Sequence, residues 1–150
     1  MILLVGQAPG PSGGAPFAGR SGAFLARLSG LSQQEFLRRT GPRNLLRRWP
    51  GPSGRGKGDA FPARRARRAA DRIRRSCRGW TSLILAGRAV AGAFGLGGLP
   101  LLRWSYDPDS RLRVAVVPHP SGINRWWNAP ANRRRAARFL RDALRRPWGP

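Results

Sequence analysis

Ile2-Leu3-Leu4-Val5-Gly6-Gln7-Ala8-Pro9-Gly10 opens the chain with an apolar run that passes straight into a glycine- and proline-rich loop. A run of this length bounded by turn residues reads as a buried strand. The loop continues through Pro16-Phe17-Ala18-Gly19-Arg20-Ser21-Gly22 toward a helix. The same arrangement recurs near the other end. There Val114-Ala115-Val116-Val117 leads into Pro118-His119-Pro120-Ser121-Gly122-Ile123-Asn124, which carries the only histidine. Two such loops at the carboxyl ends of parallel strands face one crevice, where open α/β sheets bind their ligands.

Between these segments the pattern alternates strand and helix. A helix is expected over about Ser21–Ser29, with Ala23, Phe24 and Leu28 on its apolar face. A second short helix follows the capping-box pattern Ser32-Gln33-Gln34-Glu35. Asn44-Leu45-Leu46 reads as a short strand, and about 47–60, rich in Gly, Pro and basic residues, as a mobile basic loop. Asp59 is placed to cap the next helix. In that helix Pro62 sits in the first turn, Ala63, Ala66, Ala69, Ala70, Ile73 and Cys77 form one face, and Arg64, Arg65, Arg67, Arg68, Arg72, Arg74 and Arg75 form the other. Thr81–Ala86 is apolar throughout, as central parallel strands are. A small helix follows over about Arg88–Phe94. Leu101–Tyr106 and Leu112–Val117 flank the turn sequence Asp107-Pro108-Asp109-Ser110 and read as a hairpin. A last helix, with Asn128 as its cap and Pro130 in its first turn, runs to about Arg146. The alternation predicts one domain over residues 1–150, an α/β fold built as a three-layer α/β/α sandwich on a mostly parallel central sheet.

The chain has 150 residues, 41% of them hydrophobic, with 29 Lys+Arg against 6 Asp+Glu and a net charge of +23. Such an imbalance disfavours compaction and favours a polyanionic partner, nucleic acid before an acidic membrane surface. No apolar run approaches the ~20 residues that span a bilayer, and the N-terminus lacks the pattern of a secretory signal. A single cysteine, Cys77, excludes an internal disulfide and a clustered-cysteine metal site. A cytoplasmic monomer that binds DNA and no membrane is expected. The first loop lacks the spacing of a dinucleotide fingerprint, and no Gly-Lys-Ser/Thr follows it as in a phosphate-binding P-loop.

The two loops resemble motifs 1 and 2 of the uracil-DNA glycosylase superfamily. Gly6-Gln7-Ala8-Pro9-Gly10 with Pro16-Phe17 and Gly19-Arg20-Ser21-Gly22 is similar to the first motif of the branch that often carries an iron–sulfur cluster. His119-Pro120-Ser121 is similar to motif 2, and Gly122-Ile123 to the Gly-Leu of the mismatch-specific branch. Ile84-Leu85-Ala86-Gly87-Arg88-Ala89-Val90 resembles the strand and helix between them. The four cluster cysteines are missing, so neither a cluster nor any other cofactor is expected. The first loop also has no carboxylate: Gln7 and Ala8 stand where many relatives place Asp, Asn or Glu.

The resemblance implies a DNA glycosylase that removes uracil or a related deaminated base, and it implies roles for particular residues. His119 would donate to the uracil O2 as charge grows on the leaving base. Phe17 would stack on the flipped base, with Gly6 and Ala8 beside it in the pocket, and Asn44 would read the base edge. Gln7 would orient water or hold the base. Ser121 and the amides near Gly122 would grip a flanking phosphate, Ile123 would wedge into the stack, and Arg125 would face DNA. Asp59 and Glu35 are the remaining carboxylates, although a capping role accounts for each. The alternative opened by the missing carboxylate is a catalytically inactive DNA-binding relative that recognises lesions or DNA ends.

Overall fold

The computed structural model describes residues 1–54 and 56–145. Five strands form one sheet: β1 (Ile2–Gly6), β2 (Thr40–Asn44), β3 (Ser82–Ala86), β4 (Ser105–Asp107) and β5 (Leu112–Val117). Their spatial order is β2-β1-β3-β5-β4. All pairs are parallel except the β4–β5 hairpin. Five helices accompany them: α1 (Arg20–Ser29), α2 (Gln33–Arg39), α3 (Ala63–Arg75), α4 (Arg88–Ala93) and α5 (Pro130–Arg145).

The period of two in the strands sorts their side chains between two cores. Leu3, Val5, Leu83, Leu85, Val114 and Val116 face α3 and α4. Ile2, Leu4 and Ile84 face α1, α2 and α5, meeting Leu25, Phe36 and Leu140. This is the expected three-layer α/β/α sandwich on a mostly parallel sheet. Because both faces of β1 and β3 are covered, the two strands are buried along their whole length, as their unbroken apolar sequence requires.

Several expected boundaries move. The second strand is Thr40–Asn44, not Asn44–Leu46. Thr-Gly-Pro-Arg-Asn has a poor strand composition, but β2 is an edge strand, where Pro42 need not donate on its open side. Gly41 also leaves room for the Trp80 ring: a methyl there would stand 1.8 Å from Trp80 Cη2. The apolar residues Leu45 and Leu46 follow the strand and donate from their amides to the Gly6 and Gln7 carbonyls, at 2.9 Å each. In α1 the buried residues are Gly22, Leu25, Ala26 and Ser29. Phe24 and Leu28 are half-buried and Ala23 is exposed, and the helix packs beside α2 and α5.

The expected caps also change. Asp59 does not cap α3; its carboxylate accepts from Trp49 Nε1 at 2.8 Å, while Pro62 precedes the helix without a side-chain cap. Ser32 does cap α2, accepting from the Glu35 amide, but the Glu35 carboxylate turns forward to Arg38 and Arg39. Hydrogen bonds from these guanidiniums hold its carboxyl down at about 2. Asn128 closes a 3-10 turn (Arg125–Asn128) instead of capping α5, which begins at Pro130. The end of α5 expected near Arg146 lies outside the described residues.

On α3 the small apolar face is buried as expected, except that Ala63 is exposed. Arg74 leaves the outward basic face, donating to the buried Asp107 carboxylate and to the Phe94 carbonyl. The basic segment folds back on itself. Ser53 donates to the Gly58 carbonyl at 2.8 Å and Ala60 to Gly51 at 2.9 Å.

Candidate functional site

The chain turns left from β1 to β2 and right from β1 to β3, so the strand order reverses between β1 and β3. Open α/β sheets bind ligands outside the carboxyl ends of their strands at such a reversal. A cavity of about 560 Å³ lies there, lined by residues at or just beyond the ends of four strands. β1 contributes Gly6, Gln7 and Ala8 with Phe17 beyond them, β2 contributes Asn44, β3 contributes Ala86, and β5 leads to His119 and Pro120. Residues far apart in sequence thus meet because parallel strands end on one side. The β1–β2 register is what delivers Asn44: it pairs opposite Gly6 as the last residue of its strand.

Phe17 forms the apolar wall. It is 9% exposed and holds the left-handed φ of +59°. Its ring lies against the backbone of Gly6, where a methyl would stand 2.8 Å from Phe17 Cζ and 2.9 Å from Asn44 Oδ1. No larger residue fits at position 6 without displacing both side chains.

His119 stands opposite, and its backbone is held tightly. The His119 carbonyl accepts from Trp127 Nε1 at 2.8 Å and from Asn124 Nδ2 at 2.9 Å. Trp127 packs edge-on against both Phe24 and Trp126. Ser21 Oγ donates to the next carbonyl, that of Pro120, at 3.3 Å and ties the two loops together. Gly87 backs the imidazole at φ +112°, where a methyl would lie 3.1 Å from His119 Cβ. Burial pushes the His119 pKa below its ordinary value, an effect opposed by the negative charge of Asp59. The ring is therefore neutral at pH 7, with one N–H to donate and one nitrogen to accept. Among the described residues, neither the imidazole nor the Asn44 carboxamide has a hydrogen-bond partner.

Gln7 bridges outward, donating from Nε2 to the Ala60 carbonyl at 3.3 Å. Gly58 approaches Ile123 from the same segment. Ser121, Gly122, Ile123 and Arg125 lie beyond Pro120, outside the cavity lining. Ile123 is 58% exposed, and Gly122 and Arg125 are exposed as well. Among the described residues, neither Asp nor Glu lines the cavity. Among the described residues no cluster of His, Cys, Asp or Glu could hold a metal ion. Burial raises the Cys77 thiol pKa, and the residue packs in the core on the α3 side, away from the cavity.

Four contributors escaped the sequence. Arg20 and Ser21 line the cavity, although in the first-loop motif the resemblance implies roles only for Gly6, Gln7, Ala8 and Phe17. Gly87 carried a signal, a glycine directly after a buried strand, but its partner lies 32 positions away and only the fold reveals it. Gln33, the first residue of α2, gave none beyond its place after a capping serine.

A family model described as the uracil DNA glycosylase superfamily matches residues 1–144, and the chain belongs to that superfamily. The family is one of glycosylases that act on DNA. No curated protein matches the chain.

Proposed function

We propose that this protein is a DNA glycosylase that hydrolyses the N-glycosidic bond of uracil or a related deaminated base. The observation that carries the reading is the convergence around one cavity of an aromatic wall, a carboxamide and a neutral imidazole, the last two without a hydrogen-bond partner among the described residues. A glycosylase has to extrude its nucleotide, read the base and stabilise the charge that appears as the base departs. Phe17 offers a stacking surface worth about 1–3 kcal/mol. Asn44 can accept from uracil N3–H and donate to O4, a pattern that cytosine reverses. His119 donates its N–H to the base carbonyl as negative charge builds there. One preorganised donor of this kind contributes roughly 10²–10³ in rate.

With no carboxylate in the lining, bond breaking runs ahead of water attack. The C1′–N bond cleaves with its electron pair passing to the base, and water adds its oxygen at C1′. The proton released by that water leaves through solvent or the departing base. The Gln7 carboxamide orients the water. Outside the cavity, Ile123 enters the stack vacated by the flipped nucleotide. Ser121 and the Gly122 amide contact a flanking phosphate, and Arg125 extends the contact along the strand.

Labelled oligonucleotides carrying uracil, hypoxanthine or xanthine, followed by alkaline cleavage of abasic sites, test the reading directly. Strand scission at one of these bases is expected. The missing carboxylate favours a second reading, a DNA-binding relative without catalysis. Tight binding with no abasic site on any of the three, in single or double strands, would select it.

A further inference from the structure

We propose that Gln33 is a positioning residue: its side-chain amide presets the Phe17 loop so that the aromatic ring is in place before a base arrives. The inference rests on the reading of the cavity as a base-binding pocket. Its physical core is independent of any activity.

The Gln33 Nε2 group donates toward three successive carbonyls, those of Phe17 at 3.0 Å, Ala18 at 2.8 Å and Gly19 at 3.1 Å. Three carbonyl oxygens drawn to one point repel each other unless a donor sits among them. Phe17 also occupies a left-handed conformation (φ +59°) that a bulky residue rarely adopts, at a cost that surrounding structure must offset. The turn is further shaped by Gly22, where a methyl would stand 1.7 Å from the Phe17 carbonyl oxygen. Gly6 leaves the space that the ring fills on the other side. Two glycines therefore permit the Phe17 conformation, but neither enforces it. The Gln33 amide is the side-chain group that holds it, beside the backbone bonds from the Ala18 amide to the Ala15 carbonyl and from the Ala23 amide to the Gly19 carbonyl.

Gln33 is well placed to act as this anchor. It is the first residue of α2, and Ser32 caps that helix by accepting from the Glu35 amide. Its backbone is thus fixed by an element that touches neither Phe17 nor the cavity lining through any other polar side chain named above. An amide nitrogen has only two hydrogens for three acceptors, so these bonds are shared. An ammonium group has three hydrogens. Gln33→Lys should therefore preserve the clamp, whereas Gln33→Met and Gln33→Glu, of similar length, remove the donor. Glu additionally sets a negative charge against three carbonyl oxygens.

The decisive experiment places 4-fluorophenylalanine at position 17 and records ¹⁹F NMR of the protein alone. The intact chain and Gln33→Lys should give one resonance displaced from that of the unfolded chain. In Gln33→Met and Gln33→Glu the resonance should move toward the unfolded value or split. A resonance unchanged in both donor-free variants would overturn the proposal. Single-turnover excision from a uracil oligonucleotide then separates positioning from chemistry. Losing the preset ring should raise the half-saturating enzyme concentration about 5- to 50-fold, leave the plateau rate nearly unchanged and be reversed by Gln33→Lys. An unchanged half-saturation, with the resonance moved, would overturn the link between the clamp and base binding. If the intact chain excises nothing, the glycosylase reading falls, while the fluorine spectra still decide whether Gln33 sets Phe17.

Discussion

The side chains that meet at the cavity differ in what they do to charge. His119 is kept neutral because burial disfavours its imidazolium. Its folded pKa lies below its unfolded value of about 6.5, so its contribution to stability is fully present above pH ~6.5 and is lost as pH falls below it. Single-turnover excision should accordingly hold level from pH 8 down through about 6.5 and decline only at lower pH. A pH–rate profile falling with a midpoint above that value would show that the charged form is not suppressed. Asn44 acts on the pattern of donors and acceptors instead. A carboxylate at this position loses the donor to O4 and leaves the base oxygen unpaired, so Asn44→Asp should lower uracil excision about tenfold or more. Some cytosine should then be admitted when the acid is protonated. Competition between uracil and cytosine oligonucleotides measures both effects, and unchanged uracil excision would remove Asn44 from the pocket.

The strands and helices that present these residues depend on a polar contact far from the site. Arg74 of α3 bridges to Asp107 at the end of β4, whose side chain is 2% exposed, and donates to the Phe94 carbonyl after α4. Removing Arg74 leaves the buried carboxylate with only the Ser110 hydroxyl and amide as donors among the described residues, at a cost of at most about 3–5 kcal/mol. Arg74→Met should therefore lower the denaturant midpoint markedly without changing the slope, as chemical denaturation would show. The sequence made β1, β3 and β5 legible because their apolar runs are buried on both faces. It misplaced β2 because an edge strand needs no such run: Gly41 and Pro42 are tolerated there by position, and the leucines that suggested a strand belong to the segment after it. That shift turned Asn44 from a strand's first residue into its last, facing the cavity. Arg74 was assigned to the solvent face because helical periodicity cannot see Asp107. At the site, His119, Phe17 and Asn44 were legible from motif-like segments and the strands before them. Gln33 and Gly87 were not, because their partners lie on other elements and carry no local signature, and Arg20 was not, because only the fold brings it to the cavity.

Across the whole molecule the dominant fact is the +23 charge. The arginines of α3 other than Arg74 are exposed or half-exposed, as are Arg133, Arg134, Arg135 and Arg138 on α5. Neutralising phosphates with them releases counterions, so affinity for an undamaged duplex should fall steeply with salt, with a log–log slope near −0.9 for each phosphate contacted. A salt titration by fluorescence anisotropy measures it, and a flat response would mean that the arginines do not contact DNA. Such contacts exist before and after the bond breaks, whereas the His119 hydrogen bond strengthens only as charge develops on the leaving base. The most direct measurement is therefore single-turnover excision of a deaminated base by the intact chain and by His119→Ala, alongside their affinities for undamaged DNA. The expected result is excision by the intact chain, a rate lower by roughly two to three powers of ten in the variant, and nearly equal affinities. Equal rates in the two proteins, or no excision by the intact chain on uracil, hypoxanthine or xanthine in either strand form, would contradict the account.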